Sequence, residues 1–179
     1  MTLGLKHIVI TVSVFWFAYC QLETEERDCP DFWVTNGNFC YFIHPNSSGA
    51  IESDLASWDD ARSRCRAQHS SRLLYYDSES ERRFINEQID PPFSHGYLWI
   101  GLRQHKTGGP YIWENGVTLS DDNTHWEAGQ PDKREGEEMC IDILTGDTKA
   151  TGIWRDRPCA DLKGFICKYE LGDYLIANR

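Results

Sequence analysis

Six cysteines distributed behind an apolar leader constrain this chain more than any other feature. Lys6 is the only charged residue before Glu23, and Ile8 to Tyr19 is an apolar run broken only by Thr11 and Ser13. Such a run is too short to span a bilayer comfortably and reads as a secretory signal. Ala18 and Cys20 supply the small residues of a cleavage site after Cys20. Residues 1–20 are therefore expected to be a signal peptide and residues 21–28 a short polar leader. The remaining cysteines are Cys29, Cys40, Cys65, Cys140, Cys159 and Cys167. An even set behind a signal reads as three disulfides formed in an oxidising compartment. Spacing alone does not choose among the many pairings. No Cys-x-x-Cys is present, which argues against structural zinc.

A chain of 179 residues is long enough for one domain with a sizeable core. Seven Trp, eight Tyr and eight Phe suit a loop-rich domain, because each ring covers a large area. A formal net charge of −10 leaves no basic stripe for phosphates, so nucleic acid is excluded as a partner.

Along the chain, Cys29 to Ile43 reads as a hairpin turning at Asn36-Gly37-Asn38. Asn46-Ser47-Ser48 is an N-glycosylation sequon in a polar loop. Ser57 followed by Asp60 is a helix cap, and Trp58, Ala61 and Cys65 then fall on one buried face. Leu73 to Tyr76 reads as a short strand. Ser78 to Glu81 forms a capping box that opens a second helix, burying Phe84, Ile85 and Ile89 and ending at Asp90-Pro91-Pro92. Tyr97 to Leu102 reads as a strand buried on both faces. Residues 104–132 form a long loop broken by Tyr111-Ile112-Trp113, and its tryptophans argue for an ordered, functional loop. Strands at Met139–Ile143 and Gly164–Tyr169 close the domain, and residues 170–179 are a C-terminal tail. Two early helices, a long loop and late strands make the fold class α+β, with small antiparallel sheets and segregated helices.

Chemistry concentrates between Trp126 and Cys140, where Gln130, Asp132, Glu135, Glu137 and Glu138 crowd side-chain oxygens. A second oxygen-bearing piece, Trp154-Arg155-Asp156, follows before Cys159. Catalytic signatures such as His-Glu-x-x-His and Gly-x-Ser-x-Gly are absent, and the histidines are scattered singly, so no enzyme is expected.

Trp99-Ile100-Gly101-Leu102, Trp126 to Asp132, Cys140, Trp154-Arg155-Asp156, Cys159 and Phe165-Ile166-Cys167 together resemble the C-type lectin-like domain family. The resemblance covers residues 29–169. It implies the pairs Cys29–Cys40 (the mark of the long form), Cys65–Cys167 and Cys140–Cys159. It also implies one calcium ion held by Gln130, Asp132, Glu138 and Asp156, with Pro131 in cis. A sugar's vicinal hydroxyls complete that shell and bond the same four residues. Gln-Pro-Asp at this position is associated in the family with galactose-type ligands.

The chain departs from the family at Arg155, which stands where an Asn ligand is usual. Arg has five donors and no acceptor, so it cannot ligate a metal. Pointing inward, it would oppose calcium and pair with Asp132 or Glu138. Two readings follow. One is a secreted, extracellular lectin that binds a carbohydrate or glycoprotein through calcium. The other is a calcium-independent module for a protein or other non-sugar ligand, its calcium site disabled by Arg155. No membrane span is expected in the mature chain, and the even cysteine count leaves any oligomer non-covalent.

Overall fold

The computed structural model describes residues 28–44, 54–89, 96–106, 108–132, 139–146 and 149–172. The signal peptide, nearly all of the 21–28 leader, the Asn46 sequon, Glu138 and residues 173–179 of the tail lie outside the described residues.

The chain opens as a hairpin of β1 (Val34–Asn36) and β2 (Phe39–His44), with Gly37 at φ 61° in its turn. Helix α1 (Trp58–Ala67) starts where the Ser57 side chain accepts the Asp60 N–H, and it buries Trp58, Ala61 and Cys65 as the 3.6-residue spacing predicts. Helix α2 (Glu79–Ile89) is capped by Ser78 Oγ, which accepts the Glu81 N–H at 3.1 Å.

The inward face of α2 differs from expectation. Phe84 is half-buried at the edge of the core, while Glu81 is buried with Ile85 and Ile89. The cause lies across the domain on the last strand. Lys168 is fully buried there, and its ammonium meets Glu81 and Asp77 at 2.5 and 2.6 Å. Tyr41 donates its hydroxyl to Glu81 at 2.6 Å. A buried ammonium requires carboxylate partners, so an acid replaces a hydrophobe on the helix's inner face.

The expected strand over Leu73–Tyr76 is shorter, β3 being Arg72–Leu73 alone. The chain then turns its carbonyls onto β4 (Gly96–Gln104), where the Gly101 N–H donates to Leu74 O at 2.6 Å. A Cβ at Gly101 would lie 2.6 Å from Leu73 O, so only glycine admits this crossing.

The region expected as one long loop contains β5 (Tyr111–Trp113), which folds back on β4, and a 3-10 turn at Asp121–Asn123. β6 (Met139–Thr145), β7 (Trp154–Pro158) and β8 (Gly164–Glu170) follow. The strands join in one sheet of order β1-β2-β8-β4-β6-β7, with β3 on β8 and β5 on β4. All its pairings are antiparallel except β4 with β8, which is parallel. The expected small antiparallel sheets are thus linked through one parallel pair of central strands. Both are buried almost throughout, as strands covered on two faces should be.

Three disulfides, Cys29–Cys40, Cys65–Cys167 and Cys140–Cys159, have the pairing that the resemblance implies. The second ties α1 to β8 across a separation of 102 residues. Two apolar clusters fill the interior, one around Trp113, Trp154 and the inner faces of β4 and β6, the other around Trp58 and Trp99. The indoles of Trp58 and Trp99 donate to Ile100 O and Ala56 O at 2.8 and 2.9 Å, so their burial leaves no orphan donor.

Candidate functional site

Alternation along β7 separates the oxygen-bearing residue from the cationic one. Trp154 and Asp156 are buried, and Arg155 between them points to the opposite face of the strand. In the β6–β7 register Asp156 faces Ile141 and Arg155 faces Asp142. Arg155 grips Asp142 with two hydrogen bonds, Nε to Oδ1 at 3.0 Å and Nη2 to Oδ2 at 2.9 Å. Its guanidinium also lies 3.4 Å from the centre of the Tyr97 ring. A fork-on-carboxylate pair stacked on an aromatic face is a well-held position for an arginine. The charge expected to oppose a cation at Asp156 is therefore held on the other face of the sheet.

The long loop is fastened to β7 by its backbone. Trp154 N–H donates to His125 O at 2.8 Å, and Glu127 N–H donates to Trp154 O at 2.9 Å. Trp126 packs edge-on to Trp154 and tilted against Tyr111, with centroids 5.6 and 5.2 Å away, so its ring serves to pack the loop onto the strand. A turn closed by Gln130 N–H to Glu127 O then presents Gln130, Pro131 and Asp132, with Gly129 at φ 86° and the Gln130–Pro131 bond cis.

Two of these residues bond Asp156, Asp132 through its backbone N–H and Gln130 through its side-chain oxygen. Asp156, 1 % exposed, accepts the Asp132 N–H at 2.8 Å on Oδ1 and the Tyr111 hydroxyl at 3.1 Å on Oδ2. Its own N–H donates to Gln130 Oε1 at 3.1 Å. Burial and the facing Asp156 carboxylate push the Tyr111 phenol well above its ordinary range, so Tyr111 stays a neutral donor. A carboxylate has about four lone-pair sites, so two hydrogen bonds orient the group without neutralising its charge.

Gln130, Asp132 and Asp156 are thus brought together, while Glu138 lies outside the described residues. Among the described residues no group of three or more His, Cys, Asp or Glu side chains is placed to hold a metal. Two contributors escaped the sequence reading. Asp142 was detectable as one acid between Ile141 and Ile143 on a buried strand. Tyr111 carried no signal beyond its place in an aromatic triplet.

Tyr111→Phe tests the orientation of Asp156. Losing one hydrogen bond to a buried carboxylate is expected to cost about 1.5 kcal/mol in denaturant unfolding. Unchanged stability would show that the hydroxyl does not hold Asp156.

A disulfide-stapled α+β domain whose long loop is clamped onto a strand presenting a buried acid has the architecture of the C-type lectin fold. The chain belongs to the C-type lectin family: the "Lectin C-type domain" model matches residues 54–169. A C-type lectin galactose-binding isoform from Pseudechis australis is 30 % identical over 167 residues, which cover 91 % of this chain and 97 % of the relative. The mouse scavenger receptor C-type lectin carbohydrate-recognition domain superposes with a TM-score of 0.63 at 26 % identity, covering 79 % of this chain and 96 % of that one. The C-type lectin domain of murine dendritic cell inhibitory receptor 2, solved in complex with N-glycan, gives 0.63 at 25 % identity over 80 % of this chain and 99 % of its own.

Proposed function

We propose that this chain is a secreted, extracellular lectin that binds carbohydrate through one calcium ion, with galactose-type ligands favoured. The observation that carries the reading is the convergence of Gln130 and Asp132 on the buried Asp156. Calcium is a hard cation that takes six to eight oxygen ligands, roughly, and weak sites of about 10⁻⁴–10⁻³ M serve extracellular modules. An amide oxygen and two carboxylates fit that preference, and Glu138 would add a third. The placement of Arg155 on Asp142 supports the fit, because it keeps the guanidinium away from Asp156. When bound, calcium supplies coordination positions for two vicinal sugar hydroxyls. The chain's part is to hold Asp156 rigid through Tyr111 and Asp132, and to accept hydrogen bonds from those hydroxyls through Gln130, Asp132, Glu138 and Asp156.

Gln130-Pro131-Asp132 and the galactose-binding Pseudechis relative support the galactose preference. Three disulfides support an extracellular setting. Among the described residues no helix is long and apolar enough to cross a membrane. Cleavage after Cys20 and an N-glycan at Asn46 belong to the same reading, as does a domain spanning residues 29–169.

Arg155 favours a second reading. It brings no ligand oxygen to the position beside Asp156, and Gln130 and Asp156 already bond within the protein. That pattern suits a calcium-independent module for a protein or other non-sugar ligand.

Thermal melting separates the two. Calcium at about 100-fold over Kd stabilises the folded state by about 2.7 kcal/mol. The expected result is a higher melting temperature in calcium than in chelator, with retention on galactose resin and elution by chelator. Equal melting temperatures in the two buffers would select the calcium-independent reading.

A further inference from the structure

The loop that carries Gln130 and Asp132 is pinned at its start by one histidine. His125 accepts the Trp154 N–H on its backbone oxygen at 2.8 Å, and the next residue, Trp126, bridges Trp154 in parallel register. The His125 ring lies edge-to-face with the Trp154 indole, with 5.3 Å between centroids. Its Nε2 stands 3.3 Å from Glu79 Oε2 in the first turn of α2. One half-buried side chain thus ties three elements together: the loop, β7 and α2. The helix end is a firm anchor, since Ser78 caps it and Glu81 fixes it to the buried Lys168 on β8.

Glu79 is already claimed by other cations. Arg82 donates two hydrogen bonds to it, at 2.8 and 2.6 Å, and Arg83 approaches at 3.7 Å. Chiefly the Arg82 bonds hold the Glu79 carboxyl well below the usual carboxylate range, at about 2, so it is ionised wherever a histidine titrates. A neutral His125 with its proton on Nε2 can share that carboxylate. A protonated His125 would be a further cation beside Arg82, on a charge that Arg82 already offsets. Asp77 borders the same cavity as the ring but is exposed, and so are Asp121, Asp122 and Glu127 on the loop, where solvent screens them. Tyr76, on that cavity too, stays neutral because burial pushes its phenol up. Burial first and Arg82 second therefore hold the His125 imidazole below its ordinary value, against the pull of Glu79.

We infer that His125 is a positioning residue for the Trp126–Asp132 segment, a latch that is closed while its ring is neutral and loosened when acid protonates it. The sign follows from linkage. A histidine lowered in the folded state contributes stability that is complete above its unfolded value of about 6.5 and declines as pH falls below it, because the released ring takes up a proton more readily than the latched one. The loop is the part that yields, since Lys168 holds α2 and Trp154 lies in the core. Acid thus frees the turn that brings Gln130 and Asp132 to Asp156. The latch acts whatever the loop binds, so it does not rest on the calcium reading.

Amide hydrogen exchange of the full chain in chelator reads the latch through the Glu127 and Trp154 N–H groups, whose bonds it holds in place. Their protection, corrected for the intrinsic effect of pH, should fall at least about threefold between roughly pH 7.5 and roughly pH 5, while amides of β4 keep theirs. His125→Gln retains a donor near Nε2 but cannot titrate, so its protection should not change with pH. A second measurement needs no variant: the His125 ring resonances should titrate with a midpoint below about 6.5. A midpoint at or above that value would overturn the proposal, because protonation would then tighten the contact with Glu79. Unchanged protection of the unaltered chain in acid would overturn it as well, as would an acid loss in His125→Gln as large as in the unaltered chain.

Discussion

Asp142→Ala is expected to destabilise the folded domain by about 3 kcal/mol in denaturant unfolding. Asp142 is fully buried on β6 and anchors two cations, Arg155 through paired hydrogen bonds and Lys163 at 3.2 Å. Removing the shared carboxylate leaves both cations beside an apolar strand with their principal partner gone. Breaking a buried pair from one side commonly costs about 3–5 kcal/mol, because the surviving charge keeps its desolvation penalty. The low end applies because Arg155 and Lys163 remain 17 and 11 % exposed and can lean outward. Lys163 also keeps Asp161 at 3.4 Å. Asparagine is a poor rescue, since its amide N–H₂ would face donors from both cations. The double variant Asp142→Ala/Arg155→Ala should recover part of the loss, because one stranded charge disappears with its partner. A loss below about 1 kcal/mol for the single variant would mean that solvent already screens the cluster. It would also mean that Asp142 does not decide where Arg155 points. That second consequence reaches function, because a released guanidinium could turn toward the oxygen site that it now avoids.

The elements read most surely from sequence were those fixed by local pattern. Ser57 and the spacing of Trp58, Ala61 and Cys65 specify α1 without reference to anything distant, and the structure agrees. Asn36-Gly37-Asn38 does the same for the first hairpin. What sequence pattern could not supply was any feature created by packing. Glu81 looks like a solvent-facing residue until Lys168, far along the chain, is buried against it. The early end of β3 depends on the absence of a side chain at Gly101, on another strand. The parallel join of β4 to β8 is a matter of topology, invisible to alternation along either strand. The candidate site divides in the same way. Gln130, Asp132 and Asp156 stand out as an oxygen-rich set in the register of a known family, and the fold assembles them. The direction of Arg155 is set by strand alternation together with a partner on β6, so it required the pairing register. Tyr111 reaches Asp156 because β5 folds back on β4, within what reads as loop.

Asp156→Asn should abolish the calcium-dependent rise in melting temperature while leaving the calcium-free protein within about 1 kcal/mol of its original stability. The two halves of this expectation come from different properties of one side chain. In the chelated protein Asp156 is a hydrogen-bonding hub, and asparagine can fill that part. Its Oδ1 can accept the Asp132 N–H, and its Nδ2 can donate to the Tyr111 oxygen, with that phenol reversing its role. The Asp156 backbone N–H still reaches Gln130 Oε1. Calcium, however, responds to charge, and a hard divalent ion loses a carboxylate from a small set of oxygens. Affinity should fall by far more than stability, with retention on galactose resin lost at calcium concentrations that saturate the unaltered protein. Asp156→Ala could not separate these effects, because it removes the hub and the charge together and leaves the Tyr111 hydroxyl and the Asp132 N–H without their acceptor. An Asn variant that still gains stability from calcium would show that the ion is held elsewhere, and that Asp156 serves the fold of the loop alone. A variant that melts far below the original in chelator would place its main role in the hydrogen-bond hub, where the negative charge itself sets the geometry of Gln130, Asp132 and Tyr111.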